Sequence, residues 1–288
     1  MTRATAMAIG VALAGILGGC ALQRSAAEIV AEPNVGKVVT VDNAADLLRA
    51  VGSDRTIRLM PGIYRMPVED SLLAERWLRL QAMKNLTLVG LGDIPVKILA
   101  PNGANVVTVT QCTGITLRNL EIGHDGTGDC MGDCLVITGS ADITVTDCVL
   151  FGTGYNGLHA EGVQRLRLER TTINTCQRPV VLATCEDVTL LGCRLVGNRT
   201  GNVLTCYDSS AVLLRDCTIE GNMDDTIEGN TSWTFLVVPG GTVQMRGGMI
   251  VHNCSAYLLN LPEAVTFVGT LIEGNRLYRG HHANYTGR

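Results

Sequence analysis

Two arginines and a scatter of carboxylates are the residues of this 288-residue chain best suited to chemistry. Arg178 and Arg199 lie in short turn-like segments, NTCQRP (174–179) and GNRTGN (197–202). A guanidinium is planar and presents a fork of N–H donors, so two of them on adjacent turns would grip carboxylates such as those of an acidic polysaccharide. Similar segments hold Asp125, Asp129 and Asp133 in GHDGTGDCMGDC (123–134) and Tyr155 and Asn156 in GTGYNG (152–157). A further one holds Asp224, Asp225 and Trp233 in GNMDDTIEGNTSW (221–233). Asp125, Asp129, Tyr155, Asn156, Asp224, Asp225 and Trp233 are therefore candidate substrate-binding residues, and Asp133 is the candidate metal ligand. Turns use Asp, Asn and Gly for their own backbone needs, so a purely structural role for most of these residues stays open.

What positions these segments is a repeat. The pattern apolar-x-apolar-x-x-small-x-apolar occurs as ITLRNLEI (115–122), ITVTDCVL (143–150), LRLERTTI (166–173), VTLLGCRL (188–195), VLLRDCTI (212–219), VQMRGGMI (243–250) and VTFVGTLI (265–272). Its third residue recurs at 117, 145, 168, 190, 214, 245 and 267, in steps of 28, 23, 22, 24, 31 and 22. Alternation, a bend and further alternation mean two short strands, and apolar pieces such as LVI (135–137) and VVL (180–182) supply a third. Three short strands per roughly 22 residues describe one coil of a parallel β-helix. The eighth position reads Ile122, Leu150, Ile173, Leu195, Ile219, Ile250 and Ile272, an aliphatic stack that a register kept from coil to coil explains. Upstream, Ala44–Val51 reads as a short amphipathic helix capped by Asp42 or Asn43, suited to plugging the open N-terminal end. The long steps of 28 and 31 place insertions 123–134 and 221–233 on one edge, about 19 Å apart over four coils, flanking a groove.

The N-terminus carries an address. Arg3, the apolar run from Ala4 to Leu17 and the segment Leu17-Gly18-Gly19-Cys20 read as a secretory signal. Leu17–Cys20 resembles the bacterial lipobox, which implies a lipid on Cys20, a membrane partner and a place in the cell envelope, at the outer membrane or cell surface. The domain reading is thus signal 1–19, lipidated Cys20 and tether to 36, β-helix 37–280 and a polar tail 281–288. With 23 Lys and Arg against 27 Asp and Glu, the chain has no basic excess of the kind that marks nucleic-acid binding. Of the 11 cysteines, Cys148, Cys193 and Cys217 share the sixth repeat position and read as free, core-filling thiols. Cys130 and Cys134 are the disulfide candidates.

Over residues 56–275 the chain resembles the pectate-lyase-like superfamily of right-handed parallel β-helices. GDCLVITGSADITVTDC (132–148) and YNGLHAEG (155–162) are similar to the calcium-site region of pectate lyases. That resemblance implies calcium bound by carboxylates, an Arg acting as base and a further cation that engages the uronate. Asp133 matches one calcium carboxylate, and the other three positions fall at Met131, Asn156 and Ala160. Arg199 matches the catalytic Arg, Arg178 stands where the family has Lys, and the second Arg falls at Leu204. Two expectations follow: an envelope-anchored β-helix that binds polysaccharide without catalysis or serves a structural or adhesive role, and, alternatively, a lyase or epimerase on uronate glycans with Arg199 as base.

Overall fold

A computed structural model describes residues 36–67, 77–126, 131–152, 155–199, 202–223, 233–237 and 241–278, with the side chains of Trp233 and Leu236 excepted. The signal and lipid segment with Cys20, the residues Asp129, Cys130, Asp224 and Asp225, the side chain of Trp233 and the tail 281–288 lie outside the described residues.

The alternating segments form three parallel sheets of ten, nine and eight strands, and each complete coil contributes one strand to each sheet. One coil runs from Gln164–Glu169 in the first sheet through Thr172–Asn174 in the second to Arg178–Ala183 in the third. The next coil follows the same order with Glu186–Leu191, Arg194–Val196 and Leu204–Tyr207. The register is the one the repeat demands: Ile122 pairs with Leu150, Leu150 with Ile173, Ile173 with Leu195, Leu195 with Ile219, Ile219 with Ile250 and Ile250 with Ile272. All but the last of these side chains are buried, so the core is one continuous aliphatic column rather than a set of separate clusters.

Corners explain the residues between strands. Where the first sheet turns into the second, Asn119, Asp147, Arg170 and Asp216 all hold positive φ, and Gly192, Gly247 and Gly269 take the same role in other coils. Asn, Asp and Gly tolerate that left-handed backbone best. At Gly248 the demand is absolute, because a Cβ there would lie 2.1 Å from the Cys217 carbonyl oxygen. Helix α1 (Ala44–Ala50) starts where Asn43 caps it, its Oδ1 accepting the Asp46 N–H at 2.9 Å. Leu47 and Ala50 face the core, so the helix closes the N-terminal end as its sequence suggests. At the other end Arg276–Leu277 pairs in parallel with Cys254–Ser255, so the beginning of the polar C-terminal stretch belongs to the solenoid. Among the described residues no helix is long and apolar enough to cross a membrane.

Nine described cysteines are free and buried, including Cys148, Cys193 and Cys217. Burial pushes the Cys148 and Cys206 thiols up to about 12. The disulfide expected of Cys134 is not formed. Its thiol is buried in the core, 3.2 Å from the Phe151 carbonyl oxygen.

Candidate functional site

The edge joining the second sheet to the third carries nearly all of the candidate residues, and its two halves are built differently. In the C-terminal half, the left-handed residues Gly197, Gly221, His252 and Gly274 each precede an asparagine. Asn198, Asn222, Asn253 and Asn275 turn inward and stack as a ladder. The Asn198, Asn222 and Asn253 N–H groups donate to the next asparagine's Oδ1 at 2.9–3.1 Å, and the Cys176 N–H donates to Asn198. The amides of Asn198, Asn222, Asn253 and Asn275 donate to the carbonyls of Ile173, Leu195, Ile219 and Ile250. Sequence reasoning assigned two of these turns, those in 197–202 and 221–233, to a groove. The signal for the ladder was available, since Gly-Asn recurs at 197–198, 221–222 and 274–275 in the same steps as the strands.

In the central coils, Asp133 stands just before the strand Leu135–Thr138 and is 7% exposed. Its Oδ1 accepts the Asn156 N–H at 2.9 Å, and its Oδ2 lies 3.3 Å from Nδ1 of His159. Both oxygens are thus engaged. No three His, Cys, Asp or Glu side chains gather as an ion-binding group among the described residues. Asp133 thereby anchors the next coil and His159, a residue the sequence reading passed over. Alternation along Asn156–Glu161 was its available signal, because buried Leu158 and Ala160 put His159 outside.

Asn156 opposes Arg178 in the third sheet, and Gly157 beside it has no room for a side chain, whose Cβ would lie 2.4 Å from Ile173 Cγ2. The Arg178 guanidinium stacks 4.1 Å from the centre of the Tyr155 ring. Its Nε and the Asn156 Oδ1 are buried without hydrogen-bond partners. Arg199 is exposed and donates its N–H to the Cys176 carbonyl, whereas Arg178 donates to that of Tyr155. Arg199 therefore opposes Gln177, one residue ahead of Arg178, and the two arginines do not occupy equivalent positions. The two arginines on adjacent turns are thus offset by one register position. Asp125 is paired with Arg65 at 3.0 Å.

Two hollows among the described residues lie on a different face from Arg178 and Arg199. Shallow hollows of about 250 and 480 Å³ cover the outer side of the first sheet around Asp142, Arg165, Asp187, Thr189 and Gln244. There Arg165 clamps Asp142 by bonds of 2.6 and 2.9 Å. Among the described residues neither Arg178 nor Arg199 has a carboxylate partner. An anionic ligand gains most where a cation lacks its own counter-ion, so the edge, not the hollow, is the candidate site.

Two solved structures are similar in fold to this chain. Pectate lyase Pel9A is 10% identical with a TM-score of 0.55, covering 85% of this chain and 80% of its own. An alginate lyase from Paenibacillus sp. str. FPU-7 is 9% identical with a TM-score of 0.51, covering 85% of this chain and 99% of its own. No curated protein gives a sequence match. The family model described as "right handed beta helix region" matches residues 98–275, more than half of the chain. The chain belongs to the right-handed β-helix family.

Proposed function

We propose that this chain is a lipid-anchored envelope β-helix that binds an acidic polysaccharide along the edge between its second and third sheets. The observation that carries this reading is Arg178, a half-buried cation 4.1 Å above the Tyr155 ring with no carboxylate partner among the described residues. The ring fixes the guanidinium plane, and a uronate carboxylate supplies the missing bidentate acceptor. Arg199, exposed on the adjoining coil, adds a second attraction for a polyanion. Pectate lyase and alginate lyase share the fold, which supports a polymer of that chemical class as ligand. The lipid on Cys20 keeps the edge at the membrane surface, and Cys20→Ala moves the protein from the membrane to the soluble fraction.

Affinity measurement on polygalacturonate and alginate tests the reading. Arg178→Ala is expected to weaken binding about tenfold, with a smaller loss for Arg199→Ala and a decline in affinity as salt rises. Equal affinity of wild type and Arg178→Ala for both polymers overturns it.

A further inference from the structure

We infer that the C-terminal end of the solenoid is an interaction surface covered by a second copy of this chain, packed end to end about a two-fold axis. The inference goes beyond the binding reading above and does not depend on it.

The two ends of the stack are finished differently. Helix α1 closes the N-terminal end with Leu47 and Ala50. At the other end, Val265–Val268 and Leu271–Glu273 are the last strands of their sheets, and Arg276–Leu277 pairs on one side only, with Cys254–Ser255. Among the described residues each therefore leaves one edge of backbone N–H and C=O groups open, the arrangement that invites pairing with another chain. The core shows the same gap. Leu190, Leu214 and Met245 are fully buried, yet Phe267, next in that column, is half-buried. Ile250 is fully buried, yet Ile272, in register with it, is half-buried. The columns continue in apolar residues, so what is missing is the coil that would lie on top of them. Val268 and Leu271, 50% and 47% exposed, extend the apolar surface around the rim. Stacked repeats need a cover on their last turn. Residues 279–288 bring Ala283 and Tyr285 among polar and charged neighbours, too few apolar side chains to stand in for the inward set of a coil.

A second copy supplies the cover through symmetry. A coil has three sides, and the first-sheet side lies opposite the corner at Gly274 and Asn275, where the second sheet gives way to the third. A two-fold axis in the end plane, from the middle of Val265–Val268 to that corner, sets this strand antiparallel to its own copy and lays apolar end on apolar end. The same axis exchanges the two sides of the corner, which carry opposite charges. Glu273 stands on one side and Arg276 on the other, both exposed. Among the described residues neither has an oppositely charged partner. The axis places Glu273 against Arg276 of the second copy, and Arg276 against Glu273 of the second copy, so the charges complement each other twice. Stacking helps to hold Arg276 for this contact, its guanidinium 5.4 Å from the centre of the Tyr278 ring. Contact of an end with its own copy closes at two, whereas contact with the opposite end would propagate as a fibre. Helix α1 on that opposite end favours the closed pair.

The test measures the mass of the full-length chain in density-matched detergent by sedimentation equilibrium, from about 1 to about 200 µM. The end face of one coil is small for a stable interface, so a monomer–dimer equilibrium in the micromolar range is expected. Arg276→Glu and Glu273→Arg are each expected to weaken the dimer about tenfold, and the doubly exchanged variant to recover most of that loss, a pattern that damage to the fold does not produce. Thr266→Cys, beside the axis, is expected to give a disulfide-linked pair under oxidised glutathione, and Thr116→Cys, on the same sheet in a middle coil, is expected to give none. A wild type that stays monomeric throughout, or a dimer indifferent to the charge exchanges, overturns the inference. A monomer that dimerises once residues 279–288 are removed overturns it as well, since the tail is then the cover.

Discussion

One edge of this solenoid is built in two ways. From Asn198 to Asn275 the corner is a closed hydrogen-bond ladder in which inward-turned amides satisfy backbone groups coil after coil. From His124 to Arg178, in the coils just before it, the same corner holds a carboxylate–imidazole pair, a cation without a carboxylate partner among the described residues and three buried polar atoms without partners, on His124, Asn156 and Arg178. Buried polar groups are almost always paired because an unpaired one costs about 1–3 kcal/mol. The two halves of the edge are thus built to different local plans, one with orphaned polar atoms at its turns and the other with its corner amides satisfied. The ladder also sets the position of Arg199, whose turn it anchors at Asn198.

The contrast can be broken most sharply in the ladder. Asn222 is fully buried, accepts the Asn198 N–H and donates to Leu195 and Asn253. Asn222→Ala is expected to cost about 3 kcal/mol, read as a drop in the urea midpoint, because it strands several buried groups at once. Arg178→Ala should do the reverse, leaving the midpoint nearly unchanged while polymer affinity falls about tenfold, or about 1.4 kcal/mol. A large midpoint drop in the arginine variant would erase the division between the two halves.

A smaller effect comes from His124. Burial holds its pKa below the ordinary value of 6.5. The unfolded chain therefore takes up the proton first as pH falls, so the stability tied to neutral His124 is whole above about pH 6.5 and is lost as pH drops toward the folded value. Denaturation midpoints between about pH 7.5 and about pH 5 should show that decline, and His124→Asn should flatten it. The smallest effect is expected at the first sheet, where Arg170 pairs with exposed Asp147. Arg170→Ala should move the midpoint little, and less again in high salt, since exposed pairs are screened and cost side-chain freedom to hold.

Much of the fold was legible because it is periodic. The aliphatic column from Ile122 to Ile272, the capped helix at Asn43 and the buried thiols at Cys148, Cys193 and Cys217 each follow from residue type at a fixed spacing. The site was less legible because its contacts join residues at unequal steps. Asp133 meets His159 across 26 residues while its backbone-level partner Asn156 lies 23 away, and Arg178 and Arg199, 21 apart, miss each other by one register position. Cys134 was assigned to a loop disulfide from its spacing to Cys130, yet its place at the start of an inward-facing strand sends the thiol to the core.

The sequence by itself determined the coil, its register and its inward column, since a parallel stack repeats each residue type every turn and burial then selects aliphatic ones. Only the tertiary structure decided which outward groups became partners. A corner can point a side chain inward or outward at nearly the same spacing, and a one-residue offset between coils separates two cations or joins a carboxylate to an imidazole. Those choices depend on corner conformation, and the unequal corner lengths at Tyr155–Arg178 and Asn198–Arg199 fixed them here.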